Sequence, residues 1–228
     1  MEVTAGLKRQ KKAQGAAALL RKLIPEPVGR QLLILLGGQL VSYFGARFLI
    51  RDRVHICMAL PIDGRIPFLA WMIVIYFGCF AFWAVNYTLI LRTERRGTYR
   101  FMRAELLGKL ICFAFYVAVP TTLTRAEITG TGCFAALMRM LYTVDAPDCL
   151  FPSLHCFVSW MCVIGLRGKP EIPQWYRALS AVIAIVVFAS TLTTKQHVIV
   201  DVISGVVLAE LVWLVSGAIE KRKDGARS

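Results

Sequence analysis

Residues 66–91 read IPFLAWMIVIYFGCFAFWAVNYTLIL, 26 positions without an Asp, Glu, Lys or Arg. A helix rises about 1.5 Å per residue, so this run is long enough to cross the roughly 30 Å of hydrocarbon in a bilayer. Outward from it, shorter apolar stretches run from Gln31 to Ala46, Leu110 to Thr124, Cys149 to Leu166, Ala178 to Thr194, and Val198 to Ile219. The first and third are short and need Arg47 and Lys109 to snorkel from their ends. The pattern predicts an all-α integral membrane bundle of six transmembrane helices over residues 31–219, with basic tails at 1–30 and 220–228. Composition agrees, because 57% of the 228 residues are hydrophobic, whereas soluble domains stay nearer half and lack long uncharged runs.

The formal charge of +13 raises the question of nucleic acid, and its distribution excludes that class. With both termini cytoplasmic, the N-terminal tail holds seven Lys and Arg, the loop from Arg92 to Lys109 six, the loop from Arg167 to Arg177 three and the C-terminal tail four. Only Arg47, Arg51, Arg53, Arg65, Arg125, Arg139 and Lys195 remain outside. This is the positive-inside bias of a multi-pass membrane protein. The tail stretch GLKRQKKAQGAAALLRKL suits an amphipathic helix on anionic lipid, with a disordered solvated tail as the alternative. No cleavable signal peptide is expected, since the apolar run starts late and no small-residue cleavage site precedes it. Seven cysteines show no paired metal spacing; Cys57, Cys133 and Cys149 map to the outer side, which leaves one disulfide open.

On that outer side three polar segments converge: PTTLTRAE at 120–127, FPSLH at 151–155 and STLTTKQHVIVD at 190–201. Pro152 suits the first turn of a helix, and the amides of Ser153, Leu154 and His155 then favour an anion such as phosphate. His197 and Asp201 are four apart and on a helix share one face, so the carboxylate can accept the Nδ1–H and leave Nε2 free to attack. Arg125 and Lys195 supply positive charge. The bland readings are a capping histidine and an ordinary polar contact, but ionisable groups inside a membrane are costly enough to mark function. His55 stands in a charged loop and reads as a surface residue. Asp145 and Asp148 read as loop residues around Pro147, with recognition of a cationic or polyol head group as the alternative. Glu210 reads as a protonated group hydrogen-bonded between helices. No metal is expected, because no Cys, His and Asp cluster has ligand spacing.

FPSLH and STLTTKQHVIVD resemble the second and third signatures of the type 2 phosphatidic acid phosphatase and haloperoxidase superfamily, Pro-Ser-x-His and Ser-Arg-x5-His-x3-Asp. The membrane members share a six-helix core. The resemblance implies a covalent mechanism in which His197 attacks phosphorus, Asp201 orients it and His155 protonates the leaving oxygen. Ser153, Arg125, Ser190 and nearby amides would hold the phosphoryl oxygens. The first signature, Lys-x6-Arg-Pro, is matched here only by Arg125-Ala126, with Ala118 in the lysine's place. Thr191 stands where the third signature has arginine, and Lys195 is the substitute cation. Thr-Lys-Gln-His is also similar to a subgroup that includes sphingolipid phosphotransferases.

The resemblance therefore implies a cofactor-free hydrolase of a lipid phosphate, either a phosphatidate-like monoester or an isoprenoid diphosphate. It would act through a phosphohistidine at the outer face of the cell membrane, with anionic lipid as partner of the basic tails. One alternative is a lipid head-group phosphotransferase, similar to sphingomyelin or inositol phosphorylceramide synthases. The other is a catalytically silent lipid-binding scaffold.

Overall fold

The structure is a computed structural model that describes Lys22 and residues 24–226. The amphipathic helix expected over the N-terminal tail lies outside the described residues. Among those described, the chain is built almost wholly of helix: α1 (Glu26–Ile50), α2 (Ala70–Leu91), α3 (Arg95–Ala118), α4 (Cys133–Val144), α5 (Leu154–Leu166), α6 (Gln174–Thr193) and α7 (Ile199–Gly225). Four of these, α1, α2, α6 and α7, are long and apolar enough to cross a membrane. Their outward faces are apolar, as in the stripe Ile203, Val207, Leu211 and Leu214 along α7. A surface of that kind suits lipid rather than water.

Helix α5 lies at the centre, packed against α2, α6 and α7, and eleven of its thirteen residues are buried. Gly205 lets α7 approach it closely, because a Cβ there would lie 2.6 Å from the Ser153 carbonyl oxygen. That contact sets the start of α7 beside the first turn of α5. At the same end, β1 (Ile56–Cys57) and β2 (Thr121–Thr122) pair in parallel and tie two loops together.

The third apolar stretch shows the largest shift from expectation. Helix α3 starts at Arg95 rather than Leu110, so the segment read as a basic loop from Arg92 to Lys109 is mostly helical. Lys109 does not snorkel: it is 3% exposed, sits 2.9 Å from Glu105 and donates to the Leu35 carbonyl at 2.9 Å. The Tyr87 hydroxyl donates to the same carboxylate. Paired charges one turn apart neutralise each other inside the bundle, and a hydropathy reading of single residues does not register this. Arg47, also expected to snorkel, turns instead to Asp148.

Helix α4 was not anticipated. Its inward residues Ala135, Met138 and Leu141 recur every third position, while Phe134, Met140 and Val144 face outward beside Arg139 and Thr143. All seven cysteines are free, with Cys57 and Cys133 exposed and Cys149 buried.

Candidate active site

The two histidine segments meet at one end of the bundle, and the His155 and His197 rings lie 5.6 Å apart between centroids. His155 occupies the first turn of α5, as expected, but Pro152 is not its first helical residue. Ser153 is the N-cap: its hydroxyl accepts the Cys156 amide at 3.2 Å, a normal way to satisfy a free helix-end donor. The Ser153 amide is given to the Asp201 carbonyl at 3.1 Å, so it is not open to an anion.

His197 Nδ1 lies 3.3 Å from Asp201 Oδ2. The pair forms, but not on the face of a helix. His197 precedes α7 by two residues, and Asp201, in its first turn, reaches back to accept the Val198 amide at 3.0 Å with the same oxygen. The carboxylate thus caps the helix and holds the imidazole together. The loop is fixed from behind, because the Thr191 carbonyl accepts the amides of both Gln196 and His197 at 2.9 and 3.1 Å. The second carboxylate oxygen, Asp201 Oδ1, is buried without a hydrogen-bond partner among the described residues.

The proposed phosphate ligands divide. Arg125 stays beside the site: its guanidinium lies 4.4 Å from the centre of the Tyr142 ring and donates to Gln196 Oε1 at 3.0 Å, next to His197. Lys195 lines the same recess as Arg125 and His197, but its ammonium is engaged, donating to the carbonyls of Asp63 at 3.0 Å and Ile66 at 2.7 Å. Its backbone is held in the left-handed region at φ 54°, a costly conformation for a residue with a Cβ. The ammonium expected to replace the missing arginine is thus held by two loop carbonyls, on the recess it shares with His197. Ser190 turns its hydroxyl back onto the Val187 carbonyl at 2.7 Å, away from the histidines. Thr191, in the arginine's place, is buried and bonded to the Phe188 carbonyl at 2.8 Å.

A cavity of about 300 Å³ opens on the other side of the imidazoles. Tyr43, Tyr76, Trp83, Asp145 and Asp148 share its wall with both histidines. His155 packs against the Tyr76 ring at 4.7 Å and the Trp83 ring at 5.6 Å. Asp145 receives the hydroxyl of Tyr43, with that of Tyr76 more distant at 3.5 Å. Asp148 faces Arg47 at 3.1 Å. Burial raises the Asp148 carboxyl above the usual carboxylate range, and Arg47 opposes that shift. Reading these two residues as loop caps left out their place on the cavity wall. Glu210 lies outside the site, as expected, and there it meets Arg167 at 2.6 Å and accepts the Trp160 indole N–H at 2.8 Å, an ion pair that the sequence reading did not include. Among the described residues no group of three or more His, Cys, Asp or Glu could hold a metal ion.

A helical bundle with four helices long and apolar enough to cross a membrane, and with two histidines and an aspartate gathered at one end, defines a class of membrane protein. The family model described as PAP2 superfamily matches residues 53–215, and the chain belongs to that superfamily. No curated protein and no solved structure matches the chain. Membership supports phosphatase-type chemistry on lipid phosphates in general.

Proposed function

We propose that the protein cleaves a lipid phosphate ester through a phosphohistidine, with His197 as nucleophile, Asp201 fixing its tautomer and His155 as acid and then base. One observation carries this reading: His197 stands between Asp201 at 3.3 Å and the His155 ring at 5.6 Å. In the first step His197 Nε2 forms a bond to phosphorus, the bond to the lipid oxygen breaks, and His155 gives that oxygen its proton. In the second, water attacks the phosphohistidine, His155 takes the water's proton, and phosphate leaves. Arg125, on the recess that His197 also lines, supplies positive charge for the developing phosphate oxygens. Helices α3 and α5 complete six spans in this reading, with both termini in the cytoplasm and the histidines outside.

A second reading, transfer of the head group to another lipid alcohol, is favoured by the cavity wall. Its lining includes Asp145 and Asp148 but no Lys or Arg. Carboxylates beside aromatic rings suit a hydroxylated or cationic head group better than a doubly charged phosphate monoester. The deciding measurement is a panel of lipid phosphates with the purified protein in detergent. Release of inorganic phosphate supports hydrolysis, and head-group appearance on an added lipid alcohol supports transfer. No turnover of any lipid overturns both.

A further inference from the structure

We propose that the end of the bundle opposite the histidines carries a built site for the head group of an anionic phospholipid. A cavity of about 570 Å³ opens there between the start of α3, the turn after α5 and the last turns of α7. Five cations border it against two carboxylates, Glu94 and Glu220. Arg96 is committed to Glu220 and Asp224, and Arg167 to Glu210. Arg100, Lys169 and Lys221 form no ion pair among the described residues.

Two of these three are held in place on the cavity wall. Lys169 is 9% exposed, and its ammonium has no hydrogen-bond partner among the described residues. The side chain is largely buried and forms no ion pair, with Glu94 on the same wall, and a bound anion offsets the cost of holding that charge there. The Arg100 guanidinium stands 3.9 Å from the centre of the Trp213 ring and donates from Nη2 to the Trp213 carbonyl at 3.2 Å, while its Nε is buried without a partner among the described residues.

Room for both comes from glycines on facing helices. A Cβ at Gly97 would strike the Lys169 ammonium, and one at Gly217 would lie 2.5 Å from Arg100 Nη2. An ammonium and a guanidinium across one cavity match the oxygens of a phosphate group. The rim supplies the rest of a lipid site: Leu214 is 64% exposed and continues the apolar stripe on α7 against which an acyl chain can lie. Charged lipid recognition by basic residues at a membrane boundary follows the same physics. The site takes Lys221 from the C-terminal basic tail, but its other four cations lie outside both tails, and it does not depend on the chemistry at the histidines.

The test uses the full chain in neutral detergent, with native mass spectrometry and thermal unfolding as readouts. Phosphatidylglycerol should give a retained one-to-one adduct and raise the midpoint, while phosphatidylcholine should do neither. Lys169→Gln and Arg100→Gln should each weaken phosphatidylglycerol retention at least fivefold. Arg222→Gln removes the same charge from the same helix outside the cavity and should leave retention unchanged. Lys221→Gln, at an exposed position, should also weaken retention and keeps the test readable if a buried variant does not fold. Equal loss in Arg222→Gln, or wild-type retention in all the cavity variants, overturns the site. Displacement of the lipid by millimolar inorganic phosphate, with the same thermal shift from phosphate alone, overturns the lipid assignment in favour of a soluble ligand.

Discussion

The carboxylate of Asp63 accepts the amide of Ile199 at 2.8 Å across 136 positions of sequence. Its other oxygen takes the Leu60 amide at 2.8 Å, and its carbonyl takes the Lys195 ammonium at 3.0 Å. A turn of an outer loop is thereby fastened to the segment that carries His197. Asp63 also sits at the positive end of α7, where a negative charge is favoured.

Removing that carboxylate should loosen the segment. Asp63→Ala leaves the Ile199 amide without its partner and should cost about 1–3 kcal/mol of stability. Asp63→Asn should retain part of this, since an amide oxygen still accepts. Thermal unfolding in detergent checks both, and a wild-type midpoint for Asp63→Ala would refute the role.

Lys195 should behave as part of the same fastening. Lys195→Ala and Asp63→Ala should be non-additive, with a coupling of about 0.5–3 kcal/mol in a double-mutant cycle on unfolding. Strict additivity, joined to lost turnover in a fully stable Lys195→Ala, would return the residue to the phosphate.

The histidines should separate by trapping. With a nitrophenyl phosphate, whose leaving group hardly needs an acid, His155→Ala should accumulate labelled phosphate on the protein, stable to base and labile to acid. His197→Ala should give no label. Asp201→Asn should label slowly, because the imidazole remains but its tautomer is no longer enforced. Label on a serine, or label surviving in His197→Ala, refutes the scheme.

Turnover should survive a chelator. In the proposed scheme the His197 imidazole supplies the nucleophile that a metal-bound water would otherwise provide. Activity lost with EDTA and restored by a divalent ion contradicts this.

The charge pair inside α3 should be visible in stability. Lys109→Met leaves Glu105 without its cation in a buried place and should cost about 3–5 kcal/mol. Adding Glu105→Gln should recover a large part. Chemical unfolding measures both, and an unchanged midpoint for Lys109→Met would show that Glu105 is neutral.

The histidines and Asp201 were legible because spacing alone separates them from the apolar background. The contact was foreseen, but its geometry was not, since a carboxylate in the first turn reaches back to a residue ahead of its helix. Helix α3 was hidden because Glu105 and Lys109 look like interruptions until they are seen as partners. Helix α4 left a readable trace in Ala135, Met138 and Leu141. Asp63, Tyr43 and Tyr76 left none, because their meaning arises only when distant segments meet.

The thirteen residues of α5 rise only about 20 Å, against roughly 30 Å of hydrocarbon. In the proposed six-span arrangement, placing Arg167 at one boundary would leave His155 several ångströms beneath the other. A lipid head group would then meet the imidazoles by sinking along its own axis, its tails never leaving the leaflet. A soluble phosphate ester would have to descend without tails to guide it. In that arrangement bilayer thickness would enter the selectivity: a thicker membrane would deepen the descent, and turnover would become a gauge of the lipid around the protein.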